Sequence, residues 1–430
     1  MLAAIALPRG ASLYAERVAG ARSFSVGFWF QIGSRHEEEH ERGFAHFSEH
    51  LLFKGTATRS ALDIARAIDR VGGYLNAFTE RDTLCVHCTV PARHWELALE
   101  LLADLCFSST FPPEEVERER EVIESEILAA RDDPEECVND LLLEMIWPGD
   151  PLARPIAGSE KDIRSADRDQ LFAFSRGTLR PERLLVTLAG PEEAAQASAR
   201  LGRLLDALPE PPVPAKVLPS PVEPHWRGGI RAVPERLSQA YLLVALPWHP
   251  PFLDRDYYAM SVLNGAFGES MSSRLFQGLR EKEGLCYSVA SGFSLSRTEG
   301  LWVAQASSSV KSFPELLASL EREIDELSGD RPLTAQEISE SLSRLEGGFD
   351  LSLDDPEYRM KRLARQALET DQVLDIEETR ARIIAVDPEE IAAMTRRVFA
   401  AEDRAILAYG RLGAKGERIM AARAGSPAHA

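Results

Sequence analysis

The chain has 430 residues, of which 44% are hydrophobic, and its 49 basic and 68 acidic side chains give a formal net charge of −19. This length allows two or three domains with buried cores, and the acidic balance argues against a nucleic-acid-binding surface. No apolar run approaches the roughly 18 residues of a membrane span. We therefore expect a protein that binds neither nucleic acid nor membrane. Its five scattered cysteines do not form the pattern of a disulfide framework.

The chain begins with a short apolar run, residues 1–7, that lacks a basic leader and continues into Pro8-Arg9-Gly10. This pattern predicts a first strand and turn, not a signal peptide. An arginine-rich presequence is also missing, so the cytoplasm is the expected location. Residues 23–30 predict a further strand. His36 and His40 follow it in an acidic stretch, where we expect them to be solvated.

The stretch His46-Phe47-Ser48-Glu49-His50 predicts a metal-binding helix. On an α-helix, His50 lies about 40° around the axis from His46, and Glu49 lies about 60° the other way. One helix face therefore carries all three side chains. Two imidazoles leave a tetrahedral zinc ion short of ligands, so a catalytic site needs a third one, usually a carboxylate. Glu49 would be the general base that takes a proton from water.

The alternative interpretation is a helix whose histidines only make hydrogen bonds. Apolar residues surround the motif, with Phe44 before it and Leu51-Leu52-Phe53 after it. A half-buried helix has little reason to carry three ionisable residues on one face unless they have a partner. The surroundings therefore favour a metal site.

A second histidine motif, Cys85-Val86-His87-Cys88, lies in a run of residues typical of a strand, 83–90. In a strand, the two sulfur atoms would face opposite sides. No second cluster of cysteine and histidine follows. We therefore expect this motif to be structural.

A helix is predicted to begin at Pro112-Pro113, because proline is favoured in the first turn and acidic residues follow it. Its inner face is marked by Val116, Ile123 and Ile127. Glu119 and Glu126 are seven residues apart, so they lie on nearly the same side of the helix, next to the apolar stripe. Either one is a candidate for the third metal ligand.

Seven prolines divide the chain almost in half, at positions 209, 211, 212, 214, 219, 221 and 224. Such a segment forms a stiff extended connector. We predict a zinc-bearing domain at residues 1–208, a linker at 209–227, and a domain without the metal motif at 228–430. Residues 170–190 and 390–410 share a pattern of an amphipathic helix and a hydrophobic strand, offset by 220. The expected fold is α+β, with two homologous sandwich-like halves that each pack helices on a sheet.

These motifs resemble the pitrilysin or insulinase type of zinc metallopeptidase, in which the order of the zinc motif is inverted (inverzincins). The similarity is greatest to the mitochondrial processing peptidase branch and its bacterial relatives. The matching segments are His46 to Thr56, Asn76-Ala77-Phe78-Thr79, the stretch from Glu119 to Ile123 with Glu126, and Ser273 to Ser288.

The resemblance implies one zinc ion per chain, held by His46, His50 and Glu126. It also implies that Glu119 supports the metal site without binding the ion. Asn76 and Ala77 correspond to substrate-binding positions of the family.

In the second half, Arg280 and Tyr287 correspond to a family pair that binds the substrate backbone and the developing oxyanion. A guanidinium and a phenol are suitable fixed donors for such a charge. At the position that corresponds to the zinc motif, the second half has only Ala266-Phe267-Gly268-Glu269-Ser270-Met271. The resemblance thus implies a clamshell homodimer in which Arg280 and Tyr287 complete the partner's site in trans.

Three functions compete on this evidence. The first is a zinc endopeptidase that cleaves peptides or unfolded protein segments in an enclosed chamber, and the intact ligand set favours it. The second is a structural or assembly subunit of the same fold without turnover. The third is a maturation protease that acts with a dedicated partner on one small protein.

Overall fold

The computed structural model describes residues 2–219, 222–370, 372–400 and 402–424. Contacts group these residues into two compact units. Unit 1 is drawn from the stretches Met1–Arg131, Arg154–Ser220 and Ser352–Asp375. Unit 2 is drawn from Asp132–Ala153, Pro221–Leu351 and Ile376–Ala430. The expected domain limits, 1–208, 209–227 and 228–430, stay a prediction.

Unit 1 contains a six-stranded sheet in the order β1-β2-β6-β3-β5-β4. Strands β2 and β6 are parallel, and the other neighbours are antiparallel. Strand β4 therefore lies at one edge. The strands are β1 (Leu2–Ala6), β2 (Ser12–Arg17), β3 (Ser23–Phe30), β4 (Tyr74–Thr79), β5 (Leu84–Pro91) and β6 (Leu184–Gly190).

Unit 2 contains a five-stranded sheet in the order β7-β11-β8-β10-β9. Its first pair is parallel and the rest are antiparallel, which repeats the pattern from β2 to β4. This repetition confirms the predicted α+β fold with two related halves. The strands are β7 (Gly229–Pro234), β8 (Gln239–Pro247), β9 (Ser288–Leu295), β10 (Gly300–Ser309) and β11 (Ala405–Gly410).

Helices pack against both sheets. In chain order the α-helices of the described residues are α1 (Phe44–Leu52), α2 (Ala61–Asp69), α3 (Trp95–Ser108), α4 (Pro113–Asp132), α5 (Pro134–Ile146), α6 (Glu160–Ser165), α7 (Arg168–Thr178), α8 (Ala194–Asp206), α9 (Arg255–Asn264), α10 (Phe313–Ser328), α11 (Ala335–Ser352), α12 (Pro356–Glu369), α13 (Ile376–Ile384), α14 (Pro388–Phe399) and α15 (Gly413–Ala424). In the described part of the chain, none of these helices has the length and hydropathy needed to cross a membrane.

Strand β3 shows why the central strands of unit 1 are apolar on both sides. Phe28 and Phe30 face the main core of the unit, whereas Trp29 faces a smaller cluster with Cys85 and Met360. A strand covered on both faces loses the alternation of polar and apolar residues. The helix that covers the second face is α12, which packs on β2, β3 and β6.

Helices α5 and α12 occupy equivalent places in the two halves but belong to the opposite units. Each begins with the sequence Asp-Asp-Pro-Glu, at residues 132–135 and 354–357. In each, the second aspartate caps the helix, and its Oδ1 accepts the N–H of the glutamate at 2.8 Å. Helix α5 comes from the first half of the chain and packs on β8 and β11 of unit 2. The two halves thus exchange one helix in each direction.

Candidate metal centre

Helix α1 carries both histidines of the motif, and its first turn is fixed by the preceding loop. Gly43 is the N-cap residue, with a φ of 83°. Such a backbone favours glycine. The carboxylate of Glu37 accepts the N–H of Gly43 at 2.9 Å and that of Ala45 at 2.7 Å. This buried carboxyl group satisfies two of the free N–H groups at the start of the helix.

Helix α4 carries the two candidate glutamates. It begins at Pro113, as the sequence predicts, and buries Val116, Ile123 and Ile127 together with Glu119. Glu126 is exposed at the surface of the helix, with 47% of its side chain accessible. The structure therefore distinguishes two acids that the sequence spacing left equivalent.

His46, His50 and Glu126 come together into one group that could hold a metal ion. Their ligand atoms all lie within 4.8 Å of one another. Oε2 of Glu126 lies 3.9 Å from Nε2 of His46 and 3.5 Å from Nε2 of His50. Metal–ligand bonds of about 2.0–2.2 Å place the ligand atoms of a tetrahedral zinc about 3.3 Å apart. The three residues therefore fit a zinc ion after small side-chain movements.

The protonation state of the site also suits a cation. Burial, with a smaller effect of the neighbouring His50, lowers the pKa of His46 to about 4. His46 is therefore neutral at physiological pH, which is the form that binds metal. Its Nδ1 atom is buried and has no hydrogen-bond partner in the described part of the chain.

Glu119 contacts the metal residues without joining the ligand group. Its Oε2 lies 3.0 Å from Nδ1 of His50, and its Oε1 lies 2.6 Å from Nζ of Lys54. A carboxylate that binds the second imidazole nitrogen fixes the orientation of a metal-binding histidine. Sequence reasoning gave Lys54 no role, although it follows α1 by only two residues.

Glu49, the expected general base, lies on α1 beside the histidines and is largely buried. Its Oε2 accepts a hydrogen bond of 2.6 Å from Oγ1 of Thr79. Burial raises the pKa of Glu49, while the hydrogen bond from Thr79 and the nearby His50 oppose this shift. Thr79 is the last residue of β4, so the edge strand and the expected base are directly bonded.

Asn76 and Ala77, the expected substrate-binding residues, lie on the same strand. Asn76 is exposed, and its Nδ2 donates to the Tyr74 hydroxyl at 2.8 Å. Ala77 is buried against the core. Because β4 is an edge strand, its outer backbone groups can accept another extended chain.

Arg280 and Tyr287 lie in unit 2, close to the start of β9. Arg280 belongs to a π-helical turn, Phe276–Lys282. Its guanidinium lies 4.4 Å from the ring centre of Phe276 and 5.6 Å from that of Tyr287. Tyr287 is 78% exposed. The structure thus brings the pair together on the surface of unit 2, whereas the candidate metal ligands belong to unit 1.

The other histidine and cysteine motifs are structural. Cys85 and Cys88 lie on β5 and belong to different cores on opposite faces of the sheet, as the strand pattern predicts. The expectation that His36 is solvated is wrong. Its ring is buried and Nδ1 accepts the N–H of Gly33 at 3.1 Å, because the acidic loop folds inward to place Glu37 at the start of α1.

A cavity of about 310 Å³ in unit 1 is lined by Arg168 and Arg176, and none of the three candidate ligands lines it. Both guanidinium groups bind backbone carbonyls around the C-terminus of α3. Arg176 donates to the Cys106 carbonyl at 3.2 Å, and Arg168 donates to the Thr110 carbonyl at 2.7 Å. Cations at this end of a helix satisfy its free carbonyls, so we assign these two arginines a structural role.

Comparisons with known proteins place the chain among peptidases. Residues 14–160 match the family model "Insulinase (Peptidase family M16)", and residues 165–345 match "Peptidase M16 inactive domain". An "uncharacterized zinc protease" of Streptomyces coelicolor is 33% identical over 91% of this chain and 86% of that protein. A protein of the same description from Bacillus subtilis is 31% identical over 92% of this chain and 95% of that protein.

Solved structures support the same fold. A "peptidase M16 inactive domain" from Pseudomonas fluorescens superposes with a TM-score of 0.85 at 20% identity, covering 95% of this chain and 98% of that one. A protease from Helicobacter pylori gives a TM-score of 0.84 at 17% identity, covering 95% and 99%. The match to the inactive-domain model begins after the histidine motif, at residue 165, and ends at residue 345. The chain belongs to peptidase family M16, the insulinase family.

Proposed function

We propose that this protein is a zinc-dependent endopeptidase that hydrolyses peptides or unfolded protein segments in an enclosed chamber. The observation that carries the proposal is the convergence of His46, His50 and Glu126 from two helices, with Glu49 beside them. The relatives described as zinc proteases support the choice of metal and of reaction. We assign one zinc ion to each chain, and the location in the cytoplasm stays a prediction.

The donor set suits zinc, because imidazole and carboxylate groups are the ligands of catalytic zinc sites, which keep a further position open for water or substrate. When bound, zinc supplies a Lewis acid that polarises a peptide carbonyl and makes water more acidic. His46, His50 and Glu126 would hold the ion near the surface of unit 1. His46 and His50 are partly buried, whereas the carboxylate of Glu126 reaches the surface.

Glu49 acts as the general base in this proposal. Oε2 is bonded to Thr79, so Oε1 is available to accept the proton of the attacking water. The same carboxyl then delivers this proton to the leaving amine nitrogen. Burial raises the pKa of Glu49, which brings a carboxyl closer to the range in which it can both accept and donate a proton.

An extended peptide is the substrate class that fits the edge of the sheet. Such a peptide can add to β4 by main-chain hydrogen bonds, and these do not depend on its sequence. Asn76 would contact it from the exposed side of the strand. Since Thr79 ends β4 and binds Glu49, a peptide on this edge is guided toward the base.

Arg280 and Tyr287 would bind the substrate backbone and the developing oxyanion. Both are donors at the surface of unit 2, and Phe276 supports the guanidinium. We propose a clamshell homodimer in which this pair completes the partner's site in trans. In a two-fold symmetric dimer, each chain would supply one metal centre and one such pair.

The decisive experiment combines metal analysis of the purified protein with hydrolysis of a quenched basic peptide. We expect one zinc per chain and cleavage that is lost with a chelator. Glu49→Gln should retain zinc but lose cleavage, whereas Glu126→Gln should lose both. Glu121→Gln, which removes an exposed acid from the same helix, is the matched control. Zinc without cleavage of any peptide would favour a structural subunit, and cleavage only with an added partner would favour a maturation factor.

A further inference from the structure

Lys54 is connected to the candidate metal ligand His50 through a single side chain. Nζ of Lys54 lies 2.6 Å from Oε1 of Glu119, and Oε2 of the same carboxylate lies 3.0 Å from Nδ1 of His50. Lys54 itself lies just beyond the end of α1, and its backbone N–H donates to the Leu51 carbonyl at 3.2 Å. The lysine and the histidine are thus held by the same short segment, and both face α4.

We propose that Lys54 is a positioning residue of the metal centre. By binding one oxygen of Glu119, it directs the other oxygen to the Nδ1–H of His50. This tautomer leaves the lone pair of Nε2 free, and Nε2 is the atom that faces Glu126. The inference rests on the proposed zinc site, but it does not require that the protein hydrolyse peptides.

Burial explains why Glu119 needs such a partner. Only 7% of its side chain is accessible, and a buried carboxylate without a counter-charge is costly. Lys54 supplies this charge while 29% of its own side chain reaches water. A carboxylate held at one oxygen can no longer rotate freely, so its second oxygen becomes a fixed acceptor.

His46 provides the contrast. Its Nδ1 atom has no hydrogen-bond partner among the described residues, so no polar contact at this nitrogen orients that ring. The orientation of His50 depends in addition on the polar chain through Glu119. Loss of Lys54 should therefore act on one of the two imidazoles.

The direction of the change in zinc affinity distinguishes a positioning role of Lys54 from a purely electrostatic one. Removal of a positive charge near the centre favours a bound cation, so a purely electrostatic role predicts tighter zinc binding in Lys54→Met. Loss of the support of a ligand typically weakens metal binding by about 10-fold to 100-fold. A weaker affinity in a variant that folds normally therefore indicates lost positioning.

The test measures the zinc affinity of the full-length protein by competition with a chromophoric chelator, and the visible spectrum of the Co²⁺ form. We expect Lys54→Met to bind zinc at least about tenfold more weakly and to alter the Co²⁺ spectrum. Lys54→Arg should restore most of the affinity, because a guanidinium can also donate to Oε1 of Glu119. Lys161→Met, which removes an exposed lysine, should change neither property. Unchanged or tighter zinc binding in Lys54→Met would overturn the proposal.

A double-mutant cycle tests whether Lys54 acts through Glu119. In a Glu119→Gln background, Lys54→Met should cause no further loss of affinity, and additive losses would contradict the inference. If Lys54→Met fails to fold, as judged by circular dichroism, Lys54→Gln takes its place in both measurements. A wild-type protein that binds zinc without cutting peptides refutes the proposed hydrolysis alone. One that binds no zinc refutes both proposals.

Discussion

Thr79 donates a hydrogen bond of 2.6 Å to Glu49, and this bond joins the end of the edge strand β4 to the expected general base. The bond occupies Oε2 of Glu49 and leaves Oε1 to accept a proton in the proposed reaction. The bond therefore sets the direction in which the carboxylate can accept a proton.

Replacement of Thr79 by valine should lower kcat by about tenfold or more, because an aligned general base contributes 10²–10⁴ to the rate. KM and zinc affinity should stay the same, since neither depends on this hydroxyl. Steady-state kinetics and metal titration provide the measurements. Thr79→Ser, which retains the hydroxyl, is the control. Equal kcat values for the valine variant and the wild type would refute the role of Thr79.

Two inactive chains should complement each other if the active site is shared. A Glu49→Gln chain lacks the base but retains Arg280, and an Arg280→Ala chain has the opposite defect. Each mixed dimer would contain one complete site, so equal random mixing should restore about a quarter of the wild-type activity. Tagged chains and tandem purification verify the mixed dimers. Verified mixed dimers that remain inactive would exclude completion in trans.

The free energy of unfolding should depend on pH through Glu37. Burial raises the pKa of this carboxyl to about 8, although the hydrogen bonds from Ala45 and Gly43 oppose the shift. Between the unfolded value of about 4.5 and this folded value, the folded state holds a proton that the unfolded chain has lost. The free energy of unfolding should therefore fall as pH rises from 5 to 8, by at most about 1.4 kcal/mol per pH unit.

Urea unfolding at several pH values measures this slope. Glu37→Gln should flatten it, because the amide does not titrate. Glu39→Gln, in the exposed part of the same loop, should leave the slope unchanged. A wild-type slope that persists in Glu37→Gln would assign the pH dependence to another group.

Substitution of Gly43 should destabilise the fold more than substitution of another glycine with nearly the same φ. Gly43 and Gly20 have φ values of 83° and 82°. A Cβ atom on Gly43 would lie 2.6 Å from the Ala157 carbonyl oxygen, whereas one on Gly20 would meet nothing within 4 Å. Gly43→Ala should therefore destabilise the fold by about 1–3 kcal/mol more than Gly20→Ala. Equal urea midpoints for the two variants would show that the loop around Ala157 shifts to accommodate the added Cβ atom.

Local periodicity explains how much of the centre the sequence could predict. The helical spacing of His46, Glu49 and His50 predicts one face, and the structure places them on α1. The seven-residue spacing of Glu119 and Glu126 predicts a second face on α4. Which glutamate reaches the histidines depends on how the two helices pack, and no local pattern contains that information. The family resemblance supplied it.

The residues that support the centre were missed because no local pattern in the sequence reveals their partners. Glu37 is six residues from Gly43, but its acidic neighbours made it look like part of a solvated loop. Glu119 lies 65 positions after Lys54 and 69 positions after His50. Lys54 and Thr79 both fall inside the recognised motifs, so the motifs themselves were the available signal.

The reciprocal placement of α5 and α12 has a consequence for how the polypeptide can be divided. A fragment that ends in the proline-rich connector would retain α5 without its sheet and would expose Trp29 and Cys85, which α12 covers. The complementary fragment would retain α12 without its sheet and would lack α5, which packs on β8 and β11. After a single proteolytic cut in the connector, the two pieces should therefore stay associated, because each supplies a helix to the sheet of the other.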